Sequence, residues 1–216
     1  VSRSLQLPIF KPHERPGDRA PDELRSHEAF EQAASACVRC PLGDDRVQVV
    51  VGNGPDEARI MLVGGMPGRS EELAGRPFVG AAGNVVDKSL ASVGLSRADV
   101  ALTTVVKCRP PQDRAPRGLE IETCHPWLLE QVALHRPEVV LSMGALATSV
   151  LLRRRVPISR VAGHVLKVWD DVVLIPTRDP QDAVRGNATA AAAIRRDLRT
   201  AVRLLERSGG AVQQGA

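Results

Sequence analysis

The sequence predicts an α/β fold in which a parallel sheet is covered on both faces by helices. Its strand-like segments (ARIMLVGG, DVALTTVVK, EVVLSMG, VVLIPT) are short continuous apolar runs, the pattern of strands buried on both sides. They alternate along the chain with helical segments, the order of a sheet built by crossover connections. The 216 residues can bury one sizeable core, and nothing in the length calls for a second full domain.

Residues 1–22 carry five prolines or glycines among scattered charges and read as a flexible leader. The domain is expected over residues 23–207, followed by a flexible, Gly-rich tail over 208–216. A helix from about Asp22 to Ala36, with Leu24, Ala29, Phe30 and Ala33 as its apolar stripe, delivers Cys37. RVQVVVGNG reads as a hairpin-like stretch before the first buried strand, which ends in the glycines that open GGMPGRSEELAGRPFVGAAG. A helix over about 84–93 stops at Gly94. The strand DVALTTVVK runs into Cys108, then the turn RPPQDRAP and a helix over about 119–135 that carries Cys124. EVVLSMG and the helix ALATSVLLRR come next, then VLKVW and VVLIPT joined by Asp170 and Asp171 as a tight turn. A last helix covers about 188–205. In such sheets the loops at the strand C-termini form the ligand crevice, here those after Val63, Val106, Met143 and Thr177.

Four cysteines fall as Cys37-Val-Arg-Cys40, then Cys108 and Cys124. A Cys-x-x-Cys pair places two thiolates on one local turn, and a second pair completes a sulfur shell that suits zinc or an iron-sulfur cluster; spacing alone does not choose between them. Buried reduced thiols and two disulfides are the plainer alternatives. No apolar run is long enough to cross a membrane and the first residues lack the order of a secretory signal, so a soluble cytoplasmic protein, monomeric and without a membrane partner, is expected. Thiols stay reduced in that compartment, which favours metal over disulfides. The net charge of +4, mostly from arginine, permits nucleic-acid binding without requiring it. Aromatics at 2% leave no broad stacking platform for single strands. Arg153, Arg154 and Arg155 end a helix as either a solvated C-terminal cap or a phosphate contact.

In order, Cys37-x-x-Cys40, VVVGNGPDEARIMLVGGMPGRSEELAGRPFVGAAGNVVD, VVKCRPPQDRAP with Cys124 beyond it, PEVVLSMGALA and PTRDP resemble the iron-sulfur uracil-DNA glycosylases, family 4 of that superfamily. The resemblance covers roughly residues 33 to 205. It implies a three-layer α/β/α sandwich around a central four-stranded parallel sheet, and a structural [4Fe-4S] cluster on Cys37, Cys40, Cys108 and Cys124. It also implies DNA as partner, with a flipped base in the pocket and hydrolysis of its N-glycosidic bond. Such a site must orient water, grip the base edge and stabilise negative charge on the departing uracil.

At the family's three positions for those tasks this chain differs. Gly65 stands where the family has a Glu after the first glycine of its Gly-x-x-Pro-Gly loop, and offers no side chain to position water. Thr104 replaces the Asn whose amide reads uracil, and a hydroxyl cannot match an amide's paired donor and acceptor. Asp179 replaces the His of the His-Pro-Ser loop, and an ordinary aspartate would repel the developing anion. The base pocket implied by the resemblance further includes Gly64, Met66, Pro67, Gly68 and the stacking aromatic Phe78. Lys107, Arg109 and Arg114 flank the cysteine loop as phosphate contacts or surface charge. Glu71 and Glu72 match the family's acidic pair, or lie on a solvated loop face. His125, His164 and Trp169 read as structural.

Three functions fit these residues. One is a glycosylase of altered specificity, in which Asp179 acts protonated as a general acid or ionised as a stabiliser of the sugar cation. Another is a DNA-binding module that kept fold and cluster but lost catalysis, which the three substitutions favour. The third is a pocket for a free nucleobase or nucleotide.

Overall fold

The computed structural model describes residues 26–169 and 172–209. The leader expected over 1–22, the Asp170-Asp171 turn and most of the tail lie outside the described residues.

The first helix, α1 (His27–Ser35), is capped by Ser26, whose hydroxyl accepts from the Ala29 N–H. RVQVVVGNG does not form a hairpin. It runs extended beside the second strand and meets it at a single antiparallel bridge, Asn53 with Leu102. The positive φ of Gly52 and Gly54 (117° and 157°) interrupts it, so its β-branched residues serve a neighbouring strand instead of each other.

The core elements follow as β1 (Ile60–Gly64), α2 (Arg69–Ala74), α3 (Gly80–Ala91), β2 (Ala101–Thr104), α4 (Gly118–His135), β3 (Val139–Met143), α5 (Gly144–Leu151), α6 (Ile158–Val161), β4 (Leu166–Trp169), β5 (Val172–Thr177), α7 (Pro180–Val184) and α8 (Ala188–Arg207). The sheet order is β2-β1-β3-β5-β4. Four strands are parallel, as expected, and β4 adds a fifth, antiparallel edge by pairing with β5. The edge strand is only partly buried, so it closes the sheet without extending the two-sided core.

The apolar runs bury both faces. Met61 and Val63 of β1 pack in one layer with Phe30, Trp127, Leu128, Ala147 and Val150, whereas Ile60 and Leu62 pack in the other with Val86, Leu90, Ile194, Leu198 and Leu205. Thus α1, α4 and α5 cover one face, and α3 and α8 the other, giving the three-layer sandwich. In α8 the buried residues Ala190, Ile194, Leu198, Ala201 and Leu205 recur at three- and four-residue steps, a single apolar stripe. Among the described residues no helix is long and apolar enough to cross a membrane.

Candidate functional site

The strand order reverses at β1, with β2 on one side and β3 on the other, so the loops leaving β1 and β3 diverge and open a crevice. Register sets its floor: Gly64 pairs with Thr104, and Met143 with Thr177. A cavity of about 690 Å³ opens there, lined by residues 64–71, by Phe78, Thr104, Asp113, Leu146 and Asp179, and by their neighbours. Three of the four loops predicted to form the crevice supply its wall directly. The loop after Val106 arrives through its proline-rich turn.

Phe78 lies directly on Gly64: a β-carbon at position 64 would fall 2.8 Å from the ring Cζ. Its own φ is +53°, costly for a bulky residue, and its carbonyl accepts from the Arg97 guanidinium, which also pairs with Asp87 at 2.6 Å. The Glu71 carboxylate accepts from the N–H groups of Gly68 (3.1 Å) and Val79 (2.9 Å), tying the start of the loop to its end. Glu72 accepts from Val47 N–H and faces Arg109. Both glutamates are buried, so they brace the loop from within and do not form a solvated face.

Gly65 faces Leu146, whose Cδ2 would lie 3.1 Å from a β-carbon there. The Thr104 hydroxyl donates to the Val106 carbonyl at 2.8 Å, leaving only its lone pairs for a ligand. Asp179 caps α7, accepting from Gln181 N–H at 2.9 Å, and burial pushes its carboxyl pKa upward. It packs against Gly144, where φ is +87° and a β-carbon would sit 2.8 Å from the free carboxylate oxygen.

Lys107 is corrected: it is 2% exposed and points inward, out of reach of a phosphate. Its ammonium donates to Thr103 Oγ1 (2.6 Å), the Thr104 carbonyl (2.7 Å) and Gln131 Oε1 (2.5 Å). Burial lowers its pKa to about 7, opposed by the Cys124 and Cys108 sulfurs. Arg109 grips Asp113 through two nitrogens (2.6 and 2.9 Å), and Arg114 likewise grips Glu120 (2.9 and 2.6 Å). Both arginines are partly exposed beside the pocket mouth.

The four cysteines line a second, small cavity together with Arg39, Arg46, Lys107 and Trp127. All four thiols are free of disulfides. Trp127 Nε1–H donates to Cys37 Sγ at 3.3 Å, and the Lys107 backbone N–H donates to Cys124 Sγ at 3.2 Å. Phe30 meets Trp127 edge to face, ring centroids 5.5 Å apart, so α1 carries Cys37 onto α4. Burial pushes the Cys108 thiol up to about 12 and the Cys124 thiol up to about 11. Among the described residues no three His, Cys, Asp or Glu side chains converge to hold a metal ion. The soft all-sulfur donor set, and a buried Arg46 Nη1 without a hydrogen-bond partner on the cavity wall, nevertheless fit an anionic thiolate-bound group.

The model of the uracil DNA glycosylase superfamily matches residues 51–201. The chain belongs to that superfamily. A type-4 uracil-DNA glycosylase of Thermotoga maritima is 37% identical over 162 residues, 74% of this chain and 84% of that protein. Those of Archaeoglobus fulgidus and Pyrobaculum aerophilum are each 42% identical, over 137 residues (62% of this chain, 69% of that protein) and 116 residues (54% and 59%). The match thus spans less than two thirds of the Pyrobaculum protein's length. Within this superfamily member, sequence reasoning missed Leu146, Gly144, Arg46 and Trp127 as parts of the two sites. Only Gly144 left a signal, as the glycine closing EVVLSMG.

Two outcomes follow from this geometry. Lys107→Met leaves Thr103 Oγ1 and the Thr104 carbonyl without the ammonium that donates to them, and thermal or denaturant unfolding will show a loss on the order of 1–3 kcal/mol; unchanged stability with weakened DNA binding would restore a phosphate role. Asp179→Asn keeps the cap acceptor but removes the partly buried charge. Because the folded-state pKa of Asp179 is raised, wild-type stability is fullest below the usual carboxylate pKa and declines as pH rises through the folded value. The variant will therefore melt above wild type at about pH 8 and converge with it near about pH 4.

Proposed function

We propose that this chain is an iron-sulfur, DNA-binding member of the superfamily, acting in DNA repair or recognition. It admits a flipped base to the β1/β3 cavity but hydrolyses the uracil N-glycosidic bond slowly. Asp179 carries this reading. Its carboxyl forms part of the cavity wall at the end of β5, where uracil departure calls for a group that stabilises negative charge. Ionised, it repels the anion. Gly65 brings no side chain to orient water, and the Thr104 hydroxyl is committed to Val106.

The features that admit a base support binding. Phe78 is fixed over Gly64 as a stacking surface, and Gly64, Met66, Pro67 and Gly68 let the backbone approach closely. Arg109 and Arg114 at the rim each keep spare N–H donors for backbone phosphates beyond those used on Asp113 and Glu72, and on Glu120 and the Ala115 carbonyl. The same reading places a [4Fe-4S] cluster on Cys37, Cys40, Cys108 and Cys124. Bound there, it would supply a covalent tie between α1, the loop after β2 and α4.

A second reading, an active glycosylase for a different base, is favoured by the upward push on the Asp179 pKa, since a protonated carboxyl serves as a general acid.

The test is abasic-site formation by cluster-loaded protein on oligonucleotides carrying uracil, hypoxanthine or xanthine. Wild type should release uracil about 10²- to 10³-fold more slowly than the Thermotoga relative. Combining Gly65→Glu, Thr104→Asn and Asp179→His should raise the rate more than any single change, and adding Leu146→Ala should help by making room beside position 65. Uracil release by wild type at the relative's rate overturns the proposal. Release of another base but not uracil selects the second reading.

A further inference from the structure

Arg46 lies six residues past Cys40, outside the Cys-x-x-Cys motif, yet its guanidinium reaches the wall of the cysteine cavity. Its Nη1 is fully buried and has no hydrogen-bond partner in the protein. An unpaired guanidinium nitrogen is costly to bury, so its position calls for an acceptor that the protein alone does not supply. The chain also makes room for it: a β-carbon at Gly43 would fall 2.6 Å from Nη1. Gly43 has an ordinary backbone conformation, so the missing side chain serves this close approach and not a turn.

Two other donors around the cavity already serve cysteine sulfurs. Trp127 serves Cys37 and the Lys107 N–H serves Cys124, both at the neutral end of the donor range. Lys107 directs its ammonium away, to Thr103, Thr104 and Gln131. Arg39 stacks over the Trp127 ring, 4.8 Å from its centroid. Arg46 is thus the cation of this wall whose buried nitrogen remains uncommitted.

We infer that Arg46 is a positioning residue for the cysteine-bound cluster: its guanidinium donates to the sulfur assembly on the Cys108 side and offsets its negative charge, with Gly43 as the clearance that admits it. This rests on the iron-sulfur reading above. Four thiolates make the assembly anionic, and adding an electron makes it more so, so a fixed adjacent cation favours the reduced state and slows loss of the metal.

The test compares wild type with Arg46→Met, Arg46→Lys and Gly43→Ala, each purified anaerobically and assayed for iron and acid-labile sulfide. The readouts are the cluster midpoint potential and the rate at which a chelator bleaches the visible absorption. Arg46→Met should shift the potential to more negative values and speed bleaching about tenfold or more. Gly43→Ala should shift it the same way with the charge still in the chain, because the new methyl displaces Nη1. Arg46→Lys should recover part of the potential shift. If Arg46→Met does not fold, Gly43→Ala decides alone. Wild-type potential and bleaching rate in Arg46→Met, or in Gly43→Ala where that variant decides, overturn the inference while leaving the cluster reading intact. A wild-type protein without iron and sulfide overturns both.

Discussion

The buried side chain of Lys107 joins the two sites of this molecule. Its backbone N–H reaches Cys124, its carbonyl accepts from Val50, and its ammonium holds the Thr104 carbonyl at the floor of the β1/β3 cavity. A lysine removed from water is tolerable only when its donors are all met, and Thr103, Thr104 and Gln131 meet them. The geometry of the strand end is thereby coupled to that of the cysteine loop. Whatever fastens the cysteines also fixes the edge of the pocket.

The pocket itself is a consequence of sheet order. Parallel strands reversing direction of succession at β1 leave a crevice without any help from the side chains that fill it. Those side chains then decide its chemistry. The glutamates of α2 brace the loop, Phe78 is pinned over Gly64, and Gly144 lets Asp179 close the far wall. The contacts that brace this loop run through Glu71 and Phe78 and place no demand on a side chain at position 65. In the proposed function the scaffold for admitting a base is intact while the groups that would stabilise a departing anion are not.

Most of the frame was legible in the sequence. Continuous apolar runs between helical segments gave the parallel strands, and the loops at their C-terminal ends located the crevice. The hairpin expected over RVQVVVGNG was misread because three consecutive valines signal β-structure without saying what they pair with, and here the partner is β2, some fifty residues on. Lys107 was misread for a related reason. A charged residue beside a cysteine reads as surface, and only the distant Gln131 on α4 and the fold of Thr103 beneath it make burial possible. Glu71 and Glu72 were obscured in the same way, since their partners are backbone N–H groups that no side-chain pattern reveals. Arg46 and Leu146 act purely through proximity in space, which periodicity does not encode.

The proposed separation of base capture from bond cleavage can be measured in one experiment. Cluster-loaded protein is mixed rapidly with a duplex containing uracil next to 2-aminopurine, and the fluorescence rise on unstacking is followed alongside abasic-site formation in the same mixture. The account predicts a saturable, salt-sensitive fluorescence rise, with abasic sites appearing about 10²-fold or more behind it. Abasic sites that keep pace with the fluorescence, or no fluorescence change at saturating protein, would contradict it.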